Sequence, residues 1–309
     1  ANEEEVVVMN SLTVNLNLLM VSFYQPNPSR YKIVVEGGAF PSDYYAVQQQ
    51  IRFHGYDPAD AMLELTPREG EHTLRQDDIE EFLREHGSEI ALVMLGGVNY
   101  YTGQFFDIEA ITKVGHEIGA LVGFDLAHAA GNVPLKLHDW GPDFATWCTY
   151  KYLNSGPGGT SGIFVHERHH DNPKLPRFAG WWGNDEKDRF MMDKYFIPAS
   201  GAAGWQQSNA QILPMAAHLA SLEIFDEVGM DVLRTKSEKL TGYLEYLIKT
   251  SEDLGFEVIT PADPNQRGCQ LSLLTGDNGK QLFERLQANL VIADWREPNV
   301  IRIAPVPLY

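Results

Sequence analysis

Asp125, His128, Tyr150 and Lys151 are the residues in this chain best placed by type and spacing to do covalent chemistry. Residues 122–124 and 144–148 are short apolar runs bounded by turn signals. Such runs read as buried strands, here as neighbours. Asp125 then stands at the C-terminal end of one strand and Lys151 just past the end of the other. Open α/β sheets keep their active sites at that edge. A lysine there suits a Schiff base with a carbonyl, and an acid opposite suits a pyridinium nitrogen. The pair is the signature of a pyridoxal-phosphate (PLP) site, with Lys151 as the Schiff-base lysine. A strand-end acid and a surface lysine also occur in any α/β fold, so the reading needs companions.

PLP chemistry makes two further demands, an anion site for the phosphate and an arginine for a substrate carboxylate. Ser11 and Thr13 open an apolar-periodic helix over residues 14–23. A helix N-terminus with hydroxyl residues presents free N–H groups to an anion, although capping alone would explain the same hydroxyls. Arg302, between Ile301 and Ile303, is the candidate for the carboxylate. A half-exposed strand would carry such an arginine without any function. Phe40 lies in a strand-to-helix loop on the ligand edge, where an aromatic ring can stack on a planar cofactor. It could equally anchor the loop. Asp43 stands at the start of the following helix.

The elements that must hold these residues follow from periodicity. Strands are expected over residues 31–36, 90–95, 162–165, 256–259, 270–274, 291–293 and 300–303, besides the two above. Helices are expected over residues 14–23, 44–54, 73–86, 108–118 (capped by Asp107), 212–225, 232–249 and 279–288. The alternation of strand and helix implies an α/β fold with a mostly parallel sheet and right-handed crossovers. Residues 166–209 are irregular and rich in Gly, Pro and aromatics, as functional or interfacial segments are. Antiparallel-type patterning near the end suggests a large domain over residues 1–227 and a small α+β domain over residues 228–309.

Composition excludes several classes. The chain has 309 residues, 44% of them hydrophobic and 21% charged, an ordinary globular balance. A net charge of −18 argues against a nucleic-acid surface and fits a cytoplasmic enzyme. No apolar run reaches the length of a membrane span. Cys148 and Cys269 give neither a disulfide framework nor a metal motif, and both read as buried small hydrophobes. His166, His169 and His170 cluster without matching ligand spacing and read as a solvated turn, so no metal is expected. The glycines from Gly156 to Gly162 lack the Lys-Ser/Thr of a nucleotide loop, and no nucleophile elbow is present. The chain starts without Met and ends soon after a strand-like run, so both termini are expected to be cut.

The motifs MNSLTVN, AFPSD, GVNYYTGQ, GFDLAHAAGN, TYKYLNSGPGG, GWWG, QSN and RIAPVPLY together resemble those of kynureninases. These are PLP-dependent enzymes of the aspartate aminotransferase-like fold type I. The resemblance spans nearly the whole chain. It implies a seven-stranded-type sheet flanked by helices, and a homodimer with shared active sites. It implies hydrolytic Cβ–Cγ cleavage of L-kynurenine or 3-hydroxykynurenine, giving anthranilate or 3-hydroxyanthranilate and L-alanine. That reaction belongs to tryptophan breakdown or NAD synthesis. By resemblance Lys151 is the Schiff-base lysine, Asp125 the ring-nitrogen partner and Tyr150 a phosphate ligand and proton relay. Leu12 and Thr13 match the phosphate loop, while Phe40, Pro41, Ser42, Asp43 and His128 match other cofactor contacts. Trp181 and Asn209 match residues that reach the site from a partner subunit, Asn209 beside the substrate, and Arg302 matches the carboxylate clamp. Gly96 stands where some members have a serine that contacts the cofactor, and Asn17 replaces a histidine of some relatives. Two other readings remain, a cysteine desulfurase-like lyase of the same fold and a silent PLP-binding dimeric scaffold. A desulfurase needs a nucleophilic cysteine on a mobile loop, which neither Cys148 nor Cys269 suits.

Overall fold

A computed structural model describes residues 1–172, 174–251 and 256–308. Strand β1 (Val6–Val8) leads into helix α1 (Leu12–Phe23), and β2 (Lys32–Glu36) into α2 (Pro41–Phe53). A short helix α3 (Pro58–Ala61) precedes β3 (Met62–Leu65). Then come α4 (Gln76–His86), β4 (Ile90–Gly96), α5 (Ile108–Glu117), β5 (Leu121–Asp125), α6 (Leu137–Trp140), β6 (Phe144–Trp147) and β7 (Gly162–Val165). After an irregular segment with short 3₁₀ turns follow α7 (Ile212–Val228), α8 (Met230–Thr250), β8 (Phe256–Val258), β9 (Leu271–Thr275), α9 (Gly279–Ala288), β10 (Asp294–Arg296) and β11 (Val300–Ile303).

Among the described residues, seven strands form one sheet in the order β1-β7-β6-β5-β4-β2-β3. The pairs from β6 through β5, β4 and β2 to β3 are parallel, and β7 runs antiparallel to both its neighbours. The expected mostly parallel α/β sheet is therefore present. Its strands are near-continuous apolar runs because both faces are covered. On one face Val34, Val93, Leu95, Val122 and Phe124 pack with Ile79 and Leu83 of α4 and Ile111 and Val114 of α5. On the other, Ile33, Val35, Leu92 and Met94 pack with Leu16, Leu19 and Phe23 of α1 and Val47 and Ile51 of α2. Gly123 lets the Phe144 ring lie flat on β5, since a Cβ there would come within 2.1 Å of that ring. The second, antiparallel sheet has the order β10-β11-β9-β8.

Three expectations are corrected. Strands β1 and β3 and the one-turn helices α3 and α6 were not anticipated. The run Met62-Leu63-Glu64-Leu65 is short and half-exposed, and its pairing with β2 makes it an edge strand. Helix α4 starts at Gln76 rather than at residue 73. The strand expected over residues 291–293 lies at Asp294–Arg296 instead. Leu290 takes a left-handed φ of 62° in the turn after α9, and the apolar residues beyond it face outward, Ile292 at 91% exposure. Tyr309, which closes the motif RIAPVPLY, lies outside the described residues.

The histidine cluster is also not a solvated turn. Asp143, buried just before β6, binds His116 Nε2 at 3.0 Å, His169 Nε2 at 2.7 Å, Arg168 Nη1 at 3.3 Å and the Val122 N–H at 2.7 Å. His166 is buried as well, within 3.9 Å of Glu5, which in turn binds His138 at 3.0 Å. Glu5, His138 and His166 could bring their ligand atoms together around a metal ion. However, Glu5 already accepts from Asn2 N–H at 2.7 Å and Glu167 N–H at 3.0 Å, and the two imidazoles stack at an interplanar angle of 14°. Stacked rings cannot both aim a lone pair at one ion, so this group reads as a brace between the N-terminus and the segment after β7.

Burial pushes the Asp143 carboxyl up, but the hydrogen bonds from His116 and His169 pull it further down, below the usual carboxylate range. Its folded value is thus below its unfolded value. The stabilisation is complete above about pH 4, the unfolded value, and is lost as pH falls towards the folded one. Asp143→Ala, which strands two histidines and an arginine, should cost about 3–5 kcal/mol. Urea unfolding measured between pH 6 and pH 3 should show a shallower acid limb for the variant. Parallel limbs would refute the assignment.

Candidate active site

The C-terminal ends of β2, β4, β5 and β6 open onto a cavity between α1 and α2. It is lined by Leu12, Thr13, Phe40, Ser42, Asp43, Asp125, His128, Tyr150 and Lys151, and also by Ser11, Glu36, Gly96 and Tyr100. Most of the residues singled out from the sequence therefore meet in one place.

Each is held by local structure. Asp125 ends β5, and its Oδ1 accepts the Ala127 N–H at 2.6 Å. The next residue, Leu126, donates its N–H to the Thr146 carbonyl of β6 at 2.7 Å, which fixes the turn. His128 follows in that turn, half-buried and edge-on against Tyr152. Its Nδ1 has no partner. Burial, and then the Lys151 charge, hold it well below the usual histidine range, so it is neutral. Beyond β6, Thr149 Oγ1 bonds the Thr160 carbonyl and Ser155 Oγ, each at 2.7 Å. That buried knot closes the loop whose outer residues are Tyr150 and Lys151. Lys151 Nζ lies 5.8 Å from the centre of the Phe40 ring. Phe40 in turn stands edge-on to Tyr100 at 5.3 Å.

The turn before α1 is pinned by Asn15, whose side chain reaches the Met9 carbonyl at 2.8 Å and the Asn10 amide at 3.0 Å. Asn10 takes the left-handed φ of 48° that the tight entry demands. Ser11 makes no side-chain cap. The first N–H groups of α1 have no intrahelical acceptor either, and so face the cavity free. Thr13 Oγ1 and Ser42 Oγ share a hydrogen bond of 2.7 Å that ties the starts of α1 and α2 together.

The floor of the cavity carries three acids. Burial, and then Asp125 beside it, raise Asp43 well above the usual range. Asp125 is raised by burial too, but the hydrogen bond from Asp43 and the Ala127 N–H hold it back. Asp43 is held up further than Asp125, so Asp125 is the first of the two to ionise. Glu36 is pushed by burial up to about 7. Glu36 was overlooked in the sequence. It is an acid that closes an apolar strand on the ligand edge, the same signal that marked Asp125.

Other expected residues stand apart. Arg302 lies on β11 outside the cavity lining. Its Nε donates to Asp294 Oδ2 at 2.7 Å and its Nη1 to the Tyr100 carbonyl, so it abuts the cavity wall. Pro41 is the first residue of α2 and does not line the cavity. Trp181, 46% exposed, donates its indole N–H to the Arg189 carbonyl and packs on Phe190. Asn209 is exposed just before α7. Neither reaches the cavity of this chain. Asn17 turns back to its own helix, donating to the Thr13 carbonyl at 2.9 Å. Cys148 and Cys269 are buried and free, and burial pushes the Cys269 thiol up to about 12. No nucleophilic thiol of the desulfurase kind stands on a loop here.

The cavity fits PLP. Asp43 Oδ1 and His128 Nδ1 are buried at its wall without partners. The uncapped α1 terminus suits a phosphate, the anion Asp125 a cationic ring, and Lys151 an aldehyde. The fold agrees with that of PLP enzymes. A C-DES mutant with glycine covalently linked to its PLP cofactor superposes with a TM-score of 0.82 at 15% identity, covering 100% of this chain and 78% of that one. The cysteine desulfurase CsdA from Escherichia coli superposes with a TM-score of 0.80 at 15% identity, over 99% and 75% of the two chains. These likenesses establish fold type I. The family model of the kynureninase C-terminal domain matches residues 233–309. The kynureninase of Flavobacterium johnsoniae is 58% identical over 308 residues, 99% of this chain and 72% of that protein. With PLP as its cofactor and a cavity built to hold it, the chain belongs to the kynureninase family.

Proposed function

We propose that this chain hydrolyses the Cβ–Cγ bond of L-kynurenine or its 3-hydroxy analogue, releasing an anthranilate and L-alanine. The observation that carries the site assignment is the cavity itself. It draws Lys151, Asp125, Phe40 and the α1 terminus from four separate chain segments onto one sheet edge. Bound PLP supplies the electron sink for the carbon skeleton. The chain does the rest. Lys151 Nζ holds the cofactor, yields to the substrate amine, and moves the α-proton. Asp125 stays ionised and keeps a proton on the ring nitrogen. Leu12, Thr13 and Ser42 hold the phosphate, Phe40 covers the ring face, and neutral His128 contacts the cofactor. The Tyr150 hydroxyl, pushed by burial up to about 12, keeps its proton at neutral pH and can deliver it to Cβ, which becomes the methyl group of alanine. Arg302 orients the substrate carboxylate. The hydrolytic step consumes one water at the γ-carbonyl.

The test is direct. The purified holoprotein should absorb near the visible edge, lose that band on borohydride treatment, and generate anthranilate fluorescence with kynurenine. A bound cofactor without fluorescence from either kynurenine would reject the reaction but not the cofactor site.

We further propose a cytoplasmic homodimer acting in tryptophan catabolism. The buried, unpaired thiols and the acidic composition support the compartment. The exposed run Phe190, Met191, Met192 and Tyr195, each at least 68% exposed, supports a covered face beside Trp181. Sharing of sites predicts complementation. Equal mixing of inactive Lys151→Ala and Asn209→Ala proteins should restore about one quarter of wild-type activity, because half the dimers are mixed and each then holds one intact site. No recovery after subunit exchange would place Asn209 in its own chain's site or in none.

A further inference from the structure

Glu36 closes β2 as Asp125 closes β5, and β4 lies between them. The strand end that separates the two acids is Gly96, paired in register with Asp125. A Cβ on Gly96 would lie 2.9 Å from Glu36 Oε1. The missing side chain is therefore a notch, and the Glu36 carboxyl fills it. Asn99 fixes the other oxygen, donating Nδ2 to Glu36 Oε2 at 3.1 Å. The Asn99 amide cannot turn over, because its Oδ1 already accepts from the N–H groups of Tyr101 and Thr102 at 2.9 and 2.8 Å.

A buried carboxyl with one neutral donor is costly unless something compensates it. Among the described residues no cation forms an ion pair with Glu36. The groups that face it are Asp125 from β5, Asp43 from α2, and Asn99 and Tyr100 from the turn after β4, with Lys151 and His128 across the cavity. Without an occupant its carboxyl is pushed towards the neutral form, and a cation in the cavity would compensate its charge; the acids concentrate where a ring nitrogen would meet Asp125.

We propose that Glu36 is a positioning residue for the ring-nitrogen end of the cofactor. From the Gly96 notch it places a second carboxyl behind Asp125 and helps hold the proton on that nitrogen. Near neutral pH burial leaves Glu36 poised to ionise, so a cationic ring can draw out its charge. The inference rests on Asp125 being the ring-nitrogen partner.

The test compares two ligands for the apoprotein, PLP and its carbon analogue in which the ring nitrogen is replaced by C–H. Glu36→Gln should weaken PLP about 10-fold, one pKa unit of coupling, and leave the affinity for the analogue unchanged. Equal losses for both ligands would make Glu36 a structural acid and overturn the proposal, as would no loss for either. Gly96→Ala provides an independent variant should Glu36→Gln not fold. Its methyl group evicts the carboxyl from the notch, and it should show the same selective loss. Asp125→Asn separates the two levels of the argument. If it abolishes the preference for PLP over the analogue while Glu36→Gln does not alter it, only the role of Glu36 fails. If Asp125→Asn leaves the preference intact, the reading of Asp125 fails and this inference with it.

Discussion

Lys151→Ala lowers turnover of kynurenine by about 10³-fold or more, the scale of a lost proton-transfer group in a covalent mechanism. The protein still folds. Lys151 is half-exposed on the outer turn of its loop, while the buried Thr149–Ser155 knot beneath it is untouched. PLP still binds, since the α1 terminus, Phe40 and Asp125 remain, but borohydride no longer fixes it to the chain. Added small primary amines recover part of the rate by replacing the Nζ group. Wild-type turnover in this variant would remove Lys151 from the reaction. Lost turnover with borohydride fixation retained would mean that a different lysine carries the cofactor.

The sheet was legible because its strands are buried on both faces and so are apolar throughout. β4 and β5 leave almost no residue to solvent, and a sequence pattern captures that directly. β3 escaped because an edge strand with an exposed Glu64 carries half the signal. The apolar residues 291–293 misled for the opposite reason, since hydrophobicity was read as burial when a left-handed Leu290 turns them outward. Asp125 and Lys151 were legible because strand ends on one sheet edge must converge. The histidines around Asp143 were not, since their partner sits 26 residues before His169 and 27 after His116. Long-range ion pairs of this kind leave no spacing. Gly96 looked like a departure from a family pattern without a consequence. Its meaning lies in Glu36, sixty residues away, whose carboxyl occupies the space a side chain would need.

Asp125→Asn keeps the shape of the site and removes its charge, and it should be the most damaging substitution after Lys151→Ala. The Asn side-chain oxygen can still accept the Ala127 N–H that Asp125 Oδ1 now takes at 2.6 Å. What disappears is the anion. A charge contact in a partly buried site is worth about 4 kcal/mol, about three decades in rate where it acts only on the activated state. Turnover should therefore fall about 10³-fold. The cofactor remains attached to Lys151, so the borohydride-sensitive band survives, and this separates the variant from Lys151→Ala. Asp43 changes as well. Its proton now faces a neutral amide, so the upward push that Asp125 gives it is lost, and only burial and Glu36 still hold it up. Asp43 thus becomes easier to ionise and can return part of the missing charge. The double variant Asp125→Asn/Asp43→Asn should accordingly be slower than Asp125→Asn alone, while Asp43→Asn by itself costs far less. Additive losses in that cycle would show that the two carboxyls do not share a proton.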